Sequence, residues 1–254
     1  MKIIGIIPAR MKASRLPNKP LLKLNGMPMI GHVYNRIKFC KNLNDVYVAT
    51  CDKEIQKYVN SIGGKCIMTL SSHIRATDRT AEAFDKISKE NDDISGILMI
   101  QGDEPLVNPT LLDKMIDYHL DQKDPFITNL ISKIHNYDEF KNVNTVKVVK
   151  SNKNHIIYMS RALIPACNKD EFVKDAWKQL GLILFSSNAI RTYSKLSPTL
   201  LENIESVDMN RILENDLKIK SFETTLKSQA VDVIEDIFKV ERLLKKDEYV
   251  KKYI

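Results

Sequence analysis

The sequence predicts an α/β fold: a mostly parallel sheet covered by helices, with a mixed lobe embedded in its second half. Three observations carry this expectation. Short apolar runs alternate with segments of helical period over about the first 120 residues. Turns rich in charge or glycine follow directly behind two of those runs, where open α/β sheets place their ligands. Beyond about residue 126, strand-like runs succeed one another with fewer helical interludes.

The elements follow in order. Ile3 to Pro8 reads as a buried first strand, and Arg10, Lys12, Ser14, Arg15 and Lys19 crowd the loop behind it. Met29 to Lys38 sets Met29, Ile30, Val33 and Ile37 on one helical face. Asp45 to Thr50 is a second strand. Asp52 is placed to cap a helix from Lys53 to Ile62, which Gly63 and Gly64 close. Cys66 to Thr69 is a third short strand, and Thr77 to Ser88 is a helix begun near Thr77 or Asp78. Gly96 to Ile100 is the fourth strand and ends in Gln101-Gly102-Asp103-Glu104-Pro105. Pro109 suits the start of a helix over Leu111 to Gln122. Phe126 to Ser132, Thr145 to Val149, Ile156 to Met159, Leu180 to Ser186 and Ile219 to Thr225 read as extended. Glu202 to Glu214 and Asp236 to Lys245 have helical periods. One domain over residues 1–254, with an embedded lobe at about residues 126–200, is the expected organisation.

Composition narrows the function classes. The chain has 254 residues, 43% of them hydrophobic, which supports a large core and argues against disorder. Lys and Arg total 39 against 32 Asp and Glu, a formal charge of +7 that favours an anionic ligand. No basic arm, zinc-finger spacing or paired aromatic motif points to nucleic acid. Cys40, Cys51, Cys66 and Cys167 lack metal-site spacing and read as reduced thiols. No stretch approaches the roughly 18 apolar residues of a membrane span, and the opening lacks a signal-peptide pattern, so a cytoplasmic protein is expected.

Two loops carry the chemistry. Pro8 to Lys19 gathers four cations and a hydroxyl behind a strand, as a triphosphate requires when its charge must be met during attack at the α-phosphorus. The loop has neither the ending of a Walker A motif nor the glycines of a dinucleotide fingerprint. Asp103, at the carboxyl end of the fourth strand beside Gly102, is suited to hold Mg2+ against phosphate oxygens. Glu104 reads as a helix cap. Asp232 is open to either reading, a second magnesium ligand or a cap.

At these residues the chain resembles the 3-deoxy-manno-octulosonate cytidylyltransferases. The likeness includes IIPARMKASRLPNKPLLKLNGMPMIGHV from Ile6 to Val33, QGDEP from Gln101 to Pro105 and NVNTVKVV from Asn142 to Val149. It continues through YMSRALIP from Tyr158 to Pro165, LENIESVDMNRIL from Leu201 to Leu213 and VDVIED from Val231 to Asp236. The resemblance implies a Rossmann-like, nucleotide-diphospho-sugar transferase-like sheet that binds CTP and magnesium and joins CMP to the anomeric hydroxyl of an acidic sugar. It implies that Pro8, Ala9, Arg10, Ser14, Arg15 and Lys19 meet the nucleotide, together with His73, Arg75, Thr77, Arg79, Gln101 and Asp103. Arg10, Arg15, Lys19, Asp103 and Asp232 are the expected catalytic set, and Asp103 with Asp232 the metal pair. Gln101, Ser160, Arg161, Gln179, Ile183, Glu202 and Glu205 are the expected acceptor contacts, with Arg161 offered to the sugar carboxylate. A homodimer is implied by the family alone.

The chain departs from the family's usual residues in three places. Lys178 to Phe185 replaces an Arg-His-Leu-Gly-Ile-Tyr-Gly-Tyr run, so an acceptor-facing His becomes Gln179 and a Tyr becomes Ile183. A usual Arg is Leu70, and a glycine in the following run is Ala76. A usual Thr-Pro after the second magnesium Asp is Val233-Ile234. Every charged phosphate and metal position survives while the acceptor wall changes, which predicts an active enzyme for a 3-deoxy-manno-octulosonate-like acidic sugar, with an amino-substituted octulosonate, another 2-keto-3-deoxy acid or a non-sugar acid as alternative acceptors and a catalytically silent nucleotide-binding protein as the reading from another class.

Overall fold

β1 (Lys2–Ala9) is the strand around which the first part of the chain is arranged. Ile3, Ile4, Ile6 and Ile7 are at most 2% exposed, as in a parallel strand buried on both faces. The computed structural model describes residues 1–12, 16–91, 93–123, 126–167, 176–226, 230–231 and 233–254. They fall into two units, Met1–Asp117 with Ser228–Ile254, and Tyr118–Lys227. The second is wider than the lobe read from sequence.

In the first unit, β2 (Lys23–Leu24) and β3 (Met27–Pro28) form a small hairpin that the sequence reading missed. Its turn is Asn25-Gly26, with φ of 47° and 91°, the pair that a tight two-residue hairpin needs. It delivers the chain into α1 (Met29–Ile37). β4 (Asp45–Thr50), α2 (Lys53–Ser61), β5 (Lys65–Met68), α3 (Ala76–Ser88), β6 (Ile94–Ile100) and α4 (Pro109–Leu120) follow. β1 pairs in parallel with β4 on one side and β6 on the other, and β5 pairs in parallel with β4. Gly63, at φ 69°, ends α2 as expected.

The second unit is mixed. It contains β7 (Ile127–Lys133), α5 (Tyr137–Lys141), β8 (Lys147–Lys150), β9 (Ile156–Ser160) and β10 (Trp177–Ser186). After these come α6 (Ser187–Lys195), α7 (Leu200–Glu205), α8 (Asn210–Leu213) and β11 (Ile219–Thr224). β10 runs antiparallel to β7 and β8, β8 antiparallel to β9, and β11 parallel to β7. The helix expected over Glu202 to Glu214 is two helices, because Ser206 adopts φ 54° and breaks it. α5 and α6 have short N-caps that the periodicity did not expose: Asn136 accepts from the Glu139 N–H and Ser186 from the Ala189 N–H.

The chain returns to the first unit with α9 (Ile234–Leu244). Val231, Val240, Leu244 and Val250 join Leu16, Leu24 and Met29 in one buried cluster, which ties the C-terminal segment to the hairpin and α1. His32 reinforces it, with Nε2 at 2.8 Å from the Leu24 carbonyl and Nδ1 at 3.0 Å from the Tyr253 hydroxyl. Burial pushes His32 below its ordinary pKa, so the neutral ring is favoured here.

Candidate active site

Because β1 and β6 are parallel neighbours, their carboxyl ends lie side by side and so do the two chemistry-bearing loops. The approach is close at Gly102, where a Cβ would stand 3.3 Å from the Pro8 carbonyl oxygen. A cleft of about 320 Å³ opens there, with Arg10, Lys12, Lys19, His73, Arg75 and Arg79 around Gln101 and Asp103. Pro8, Ala9, Leu16, Pro20, Ile74, Ala76 and Gly102 complete its wall. Arg10, Lys12, Lys19 and Arg75, with Arg79 nearly buried behind them in the wall, therefore surround a space with one carboxylate among the described lining residues, an arrangement fitted to a polyanion.

The side chains are held in specific ways. Lys19 Nζ lies 2.7 Å from Asp103 Oδ2, with the carboxylate still 32% exposed. The Val231 N–H donates to the Asp103 carbonyl at 3.0 Å. Arg79 is buried beneath the wall, donating to Thr69 Oγ1 at 2.5 Å and to the carbonyls of Leu70 and His73. Arg10 reaches the same His73 carbonyl from the other loop at 3.5 Å. The His73 ring is held by Glu82, which also accepts from the Leu70 N–H and from Lys86. Burial alone would raise the Glu82 carboxyl, but these hydrogen bonds together hold it below the usual carboxylate range.

Two expectations in and around this cleft are answered differently. Thr77 is fully buried in the first turn of α3, with Oγ1 turned to Met99 Sδ at 3.7 Å, and it is not part of the wall. Asp52 does not cap α2. Its Oδ2 instead accepts the Met11 N–H at 2.8 Å, and the Asn18 N–H closes the same loop onto the Met11 carbonyl at 3.2 Å. An Asp before a helix reads locally as a cap, and only the parallel pairing of β4 with β1 brings it beside this loop. Ser14, Arg15 and Asp232 lie outside the described residues.

The donor set at the cleft suits magnesium. Asp103 offers a partly exposed oxygen ligand, and magnesium that retains waters and phosphate oxygens needs only one or two carboxylates. Among the described residues no cluster of three His, Cys, Asp or Glu side chains stands ready to hold a metal alone.

The acceptor candidates other than Gln101 lie in the second unit, and most are drawn into internal bonding. Glu205 accepts from Tyr158 Oη at 3.0 Å, from Ser160 Oγ at 2.6 Å and from the Arg161 N–H at 2.7 Å. Arg161 donates to the carbonyls of Glu205, Val143, Asn144 and Ser206, so its guanidinium is engaged differently from the carboxylate fork expected of it. Glu202 is fully buried and bound by both ends of the Arg211 fork at 2.6 and 2.7 Å, with Arg211 stacked 4.2 Å over Tyr193. It presents no surface to a ligand and acts through the packing of α7 and α8. Ile183 is 1% exposed within β10 and is a core residue. Gln179 is half-buried and donates from Nε2 to Asn129 Oδ1 at 2.8 Å.

Sequence reasoning missed two buried residues of this region. Lys147 is fully buried and donates to the carbonyls of Asn142, Thr145 and Arg161, the last at 2.7 Å. Desolvation lowers its pKa. Asn129 lies inside β7 and binds the backbone of β10. A lysine and an asparagine inside apolar strands were the available signals.

Comparison with known proteins accords with this geometry. The family model described as cytidylyltransferase matches residues 4–219. The chain is 38% identical over 253 residues to the 3-deoxy-manno-octulosonate cytidylyltransferase of Thermodesulfovibrio yellowstonii, covering 96% of this chain and 98% of the relative. It is 36% identical over 245 residues to the 8-amino-3,8-dideoxy-manno-octulosonate cytidylyltransferase of Shewanella sp. (strain W3-18-1), covering 96% and 99%. Among solved structures, CMP:2-keto-3-deoxy-manno-octonic acid synthetase complexed with CTP superposes with a TM-score of 0.87 at 31% identity, over 97% of this chain and 99% of that one. The expected nucleotide-diphospho-sugar transferase-like fold is thus observed, and the chain belongs to the cytidylyltransferase family, in the branch of nucleotidyltransferases that holds the 3-deoxy-manno-octulosonate enzymes.

Proposed function

We propose that the protein transfers CMP from CTP to the anomeric hydroxyl of an octulosonate-type acidic sugar that carries an amino substituent, releasing pyrophosphate. The observation that carries the reaction class is the convergence of Arg10, Lys12, Lys19, Arg75 and Arg79 on a cleft whose described carboxylate is Asp103. A triphosphate brings the complementary charge, and cations already in place stabilise the charge that develops on the departing pyrophosphate. Asp103, with Asp232 as its proposed partner, would hold magnesium, which supplies Lewis-acid neutralisation of phosphate oxygens when bound. Lys19, held against Asp103 at 2.7 Å, stands ready to serve as a phosphate cation. Gln101, lining the same cleft, would meet the sugar acid.

The amino-substituted acceptor is supported by Gln179 in place of the family's His and by the Shewanella relative, whose name specifies the 8-amino sugar. The relative from Thermodesulfovibrio, named for the unsubstituted octulosonate, favours a second reading with that acceptor. Pyrophosphate release from CTP, measured as kcat/KM with each of the two sugars, separates them. The amino sugar should give the higher value. A clear advantage for the unsubstituted sugar overturns the amino reading, and no product with either overturns the acceptor class.

A further inference from the structure

Between β5 and α3 the chain runs along the cleft, and little apolar burial holds it there. The side chains of Leu70 and Ile74 are 61% and 72% exposed. The stretch is anchored where the Thr69 N–H donates to the Thr50 carbonyl at 2.8 Å and where Arg75 forms the N-cap of α3. Between these points its polar groups turn back onto α3 itself. Arg79 donates to the carbonyls of Leu70 at 3.3 Å and His73 at 3.5 Å. Glu82, three residues on and so on the same helical face, meets the Leu70 N–H at 2.9 Å and the His73 ring with one oxygen, Oε2. An ionised carboxylate only accepts, so the His73 Nε2 that faces it carries the proton. Lys86 holds the other oxygen of Glu82 at 2.7 Å and the Met68 carbonyl at 2.8 Å.

The segment held in this way presents His73, Ile74 and Arg75 to the cleft, and Glu82 is not among the described lining residues. Arg10 of the facing loop rests on the His73 carbonyl at 3.5 Å, so the place of His73 also bears on that cation. We propose that Glu82 is a positioning residue for the nucleotide: without touching it, Glu82 fixes His73, and with it the segment that carries Arg75 and the resting place of Arg10, before CTP arrives. A wall ordered in advance does not have to be ordered at the moment of binding, and that saving appears as affinity. Exposed side chains cannot supply the ordering here, which leaves it to the polar clamps from α3. The inference rests on the reading of the cleft as a CTP site and assigns a residue to its upkeep.

The test measures the Kd for CTP with magnesium, without any acceptor, together with KM, kcat and the unfolding midpoint, in the full-length protein and its variants. Glu82→Met keeps the length of the side chain and removes both acceptor oxygens. It should weaken CTP binding and raise the KM for CTP by about tenfold or more, with kcat within about threefold. Glu82→Gln keeps an oxygen for Leu70 and His73 and should recover most of the affinity. Glu82→Asp, one methylene short of both partners, should give a smaller loss of about threefold, and it carries the test if Glu82→Met does not fold. Lys89→Ala removes an exposed pair with Asp85 on the same helix and should leave CTP binding unchanged. Unchanged CTP affinity in folded Glu82→Met or Glu82→Asp overturns the positioning role while leaving the CTP site standing. A fall in kcat and unfolding midpoint with CTP affinity preserved makes Glu82 merely structural and also overturns it. Failure of the unaltered protein to bind CTP overturns both the role and the reading on which it rests.

Discussion

The nucleotide cleft of the first unit and the Glu202–Glu205 region of the second use the same kinds of residue in opposite ways. In the cleft, Arg10 and Lys12 extend from an exposed loop, and Asp103 keeps a third of its surface in solvent. In the second unit, Glu202 and Arg211 close on each other in the core, and Arg161 and Lys147 are bound to main-chain carbonyls. The difference shows where a charge is available to a ligand. A cation behind a parallel strand projects from a loop with few protein partners nearby, whereas a charge between packed helices must be matched internally to be tolerated there. Charged residues thus do work of two kinds, and burial distinguishes them.

The strongest test of that contrast is Glu202→Ala. It leaves the Arg211 guanidinium buried without its carboxylate, and stability measured by denaturant unfolding should fall by about 3–5 kcal/mol. A loss below about 1 kcal/mol, the range of exposed pairs, would erase the contrast. Asp103→Asn should behave the other way round. Its kcat/KM should fall by about a hundredfold to a thousandfold while the unfolding midpoint moves little. An Asp103→Asn protein that loses stability instead of turnover would make the cleft carboxylate structural.

Acid probes the buried groups next. His119 is 2% exposed, faces Thr128 Oγ1 at 2.8 Å, and is pushed down by burial to about 4. The unfolded state gains a proton below pH 6.5 that the folded state refuses until about pH 4. This stability is therefore complete above pH 6.5 and is lost progressively as the pH falls toward 4, by roughly 3 kcal/mol. Unfolding midpoints across that window should show the loss in the native chain and much less of it in His119→Gln. An equal acid loss in both assigns it elsewhere.

The smallest expected effect sharpens the description of the cleft itself. Asp52→Ala releases the Met11 N–H from its 2.8 Å acceptor and loosens the loop that carries Arg10 and Lys12. The KM for CTP should rise by about tenfold, with kcat nearly preserved, because ordering of the loop is lost before its charges are. Asp52→Asn keeps an acceptor oxygen and should recover most of the affinity. Identical values for Ala and Asn would reduce Asp52 to a bystander.

By itself the sequence determined the strand–helix alternation of the first unit, the position of both chemistry-bearing loops and the charge they carry. These are local properties: continuous Ile runs demand burial on both faces, and glycine and proline mark the turns. Asp103 and Lys19 were legible because a parallel strand delivers whatever follows it to the carboxyl edge of the sheet. Tertiary structure alone decided which polar groups remain available. Asp52 turned from a helix toward a loop because β4 pairs with β1, and Thr77 turned into the core although its neighbours line the cleft. Glu202 was claimed by Arg211, and the orientation of Gln179 was decided by Asn129, fifty positions away in sequence. Hydrogen-bond partners that distant cannot be read from spacing, since the pairing of strands and the bulge in β10 set them, and each depends on the assembled sheet.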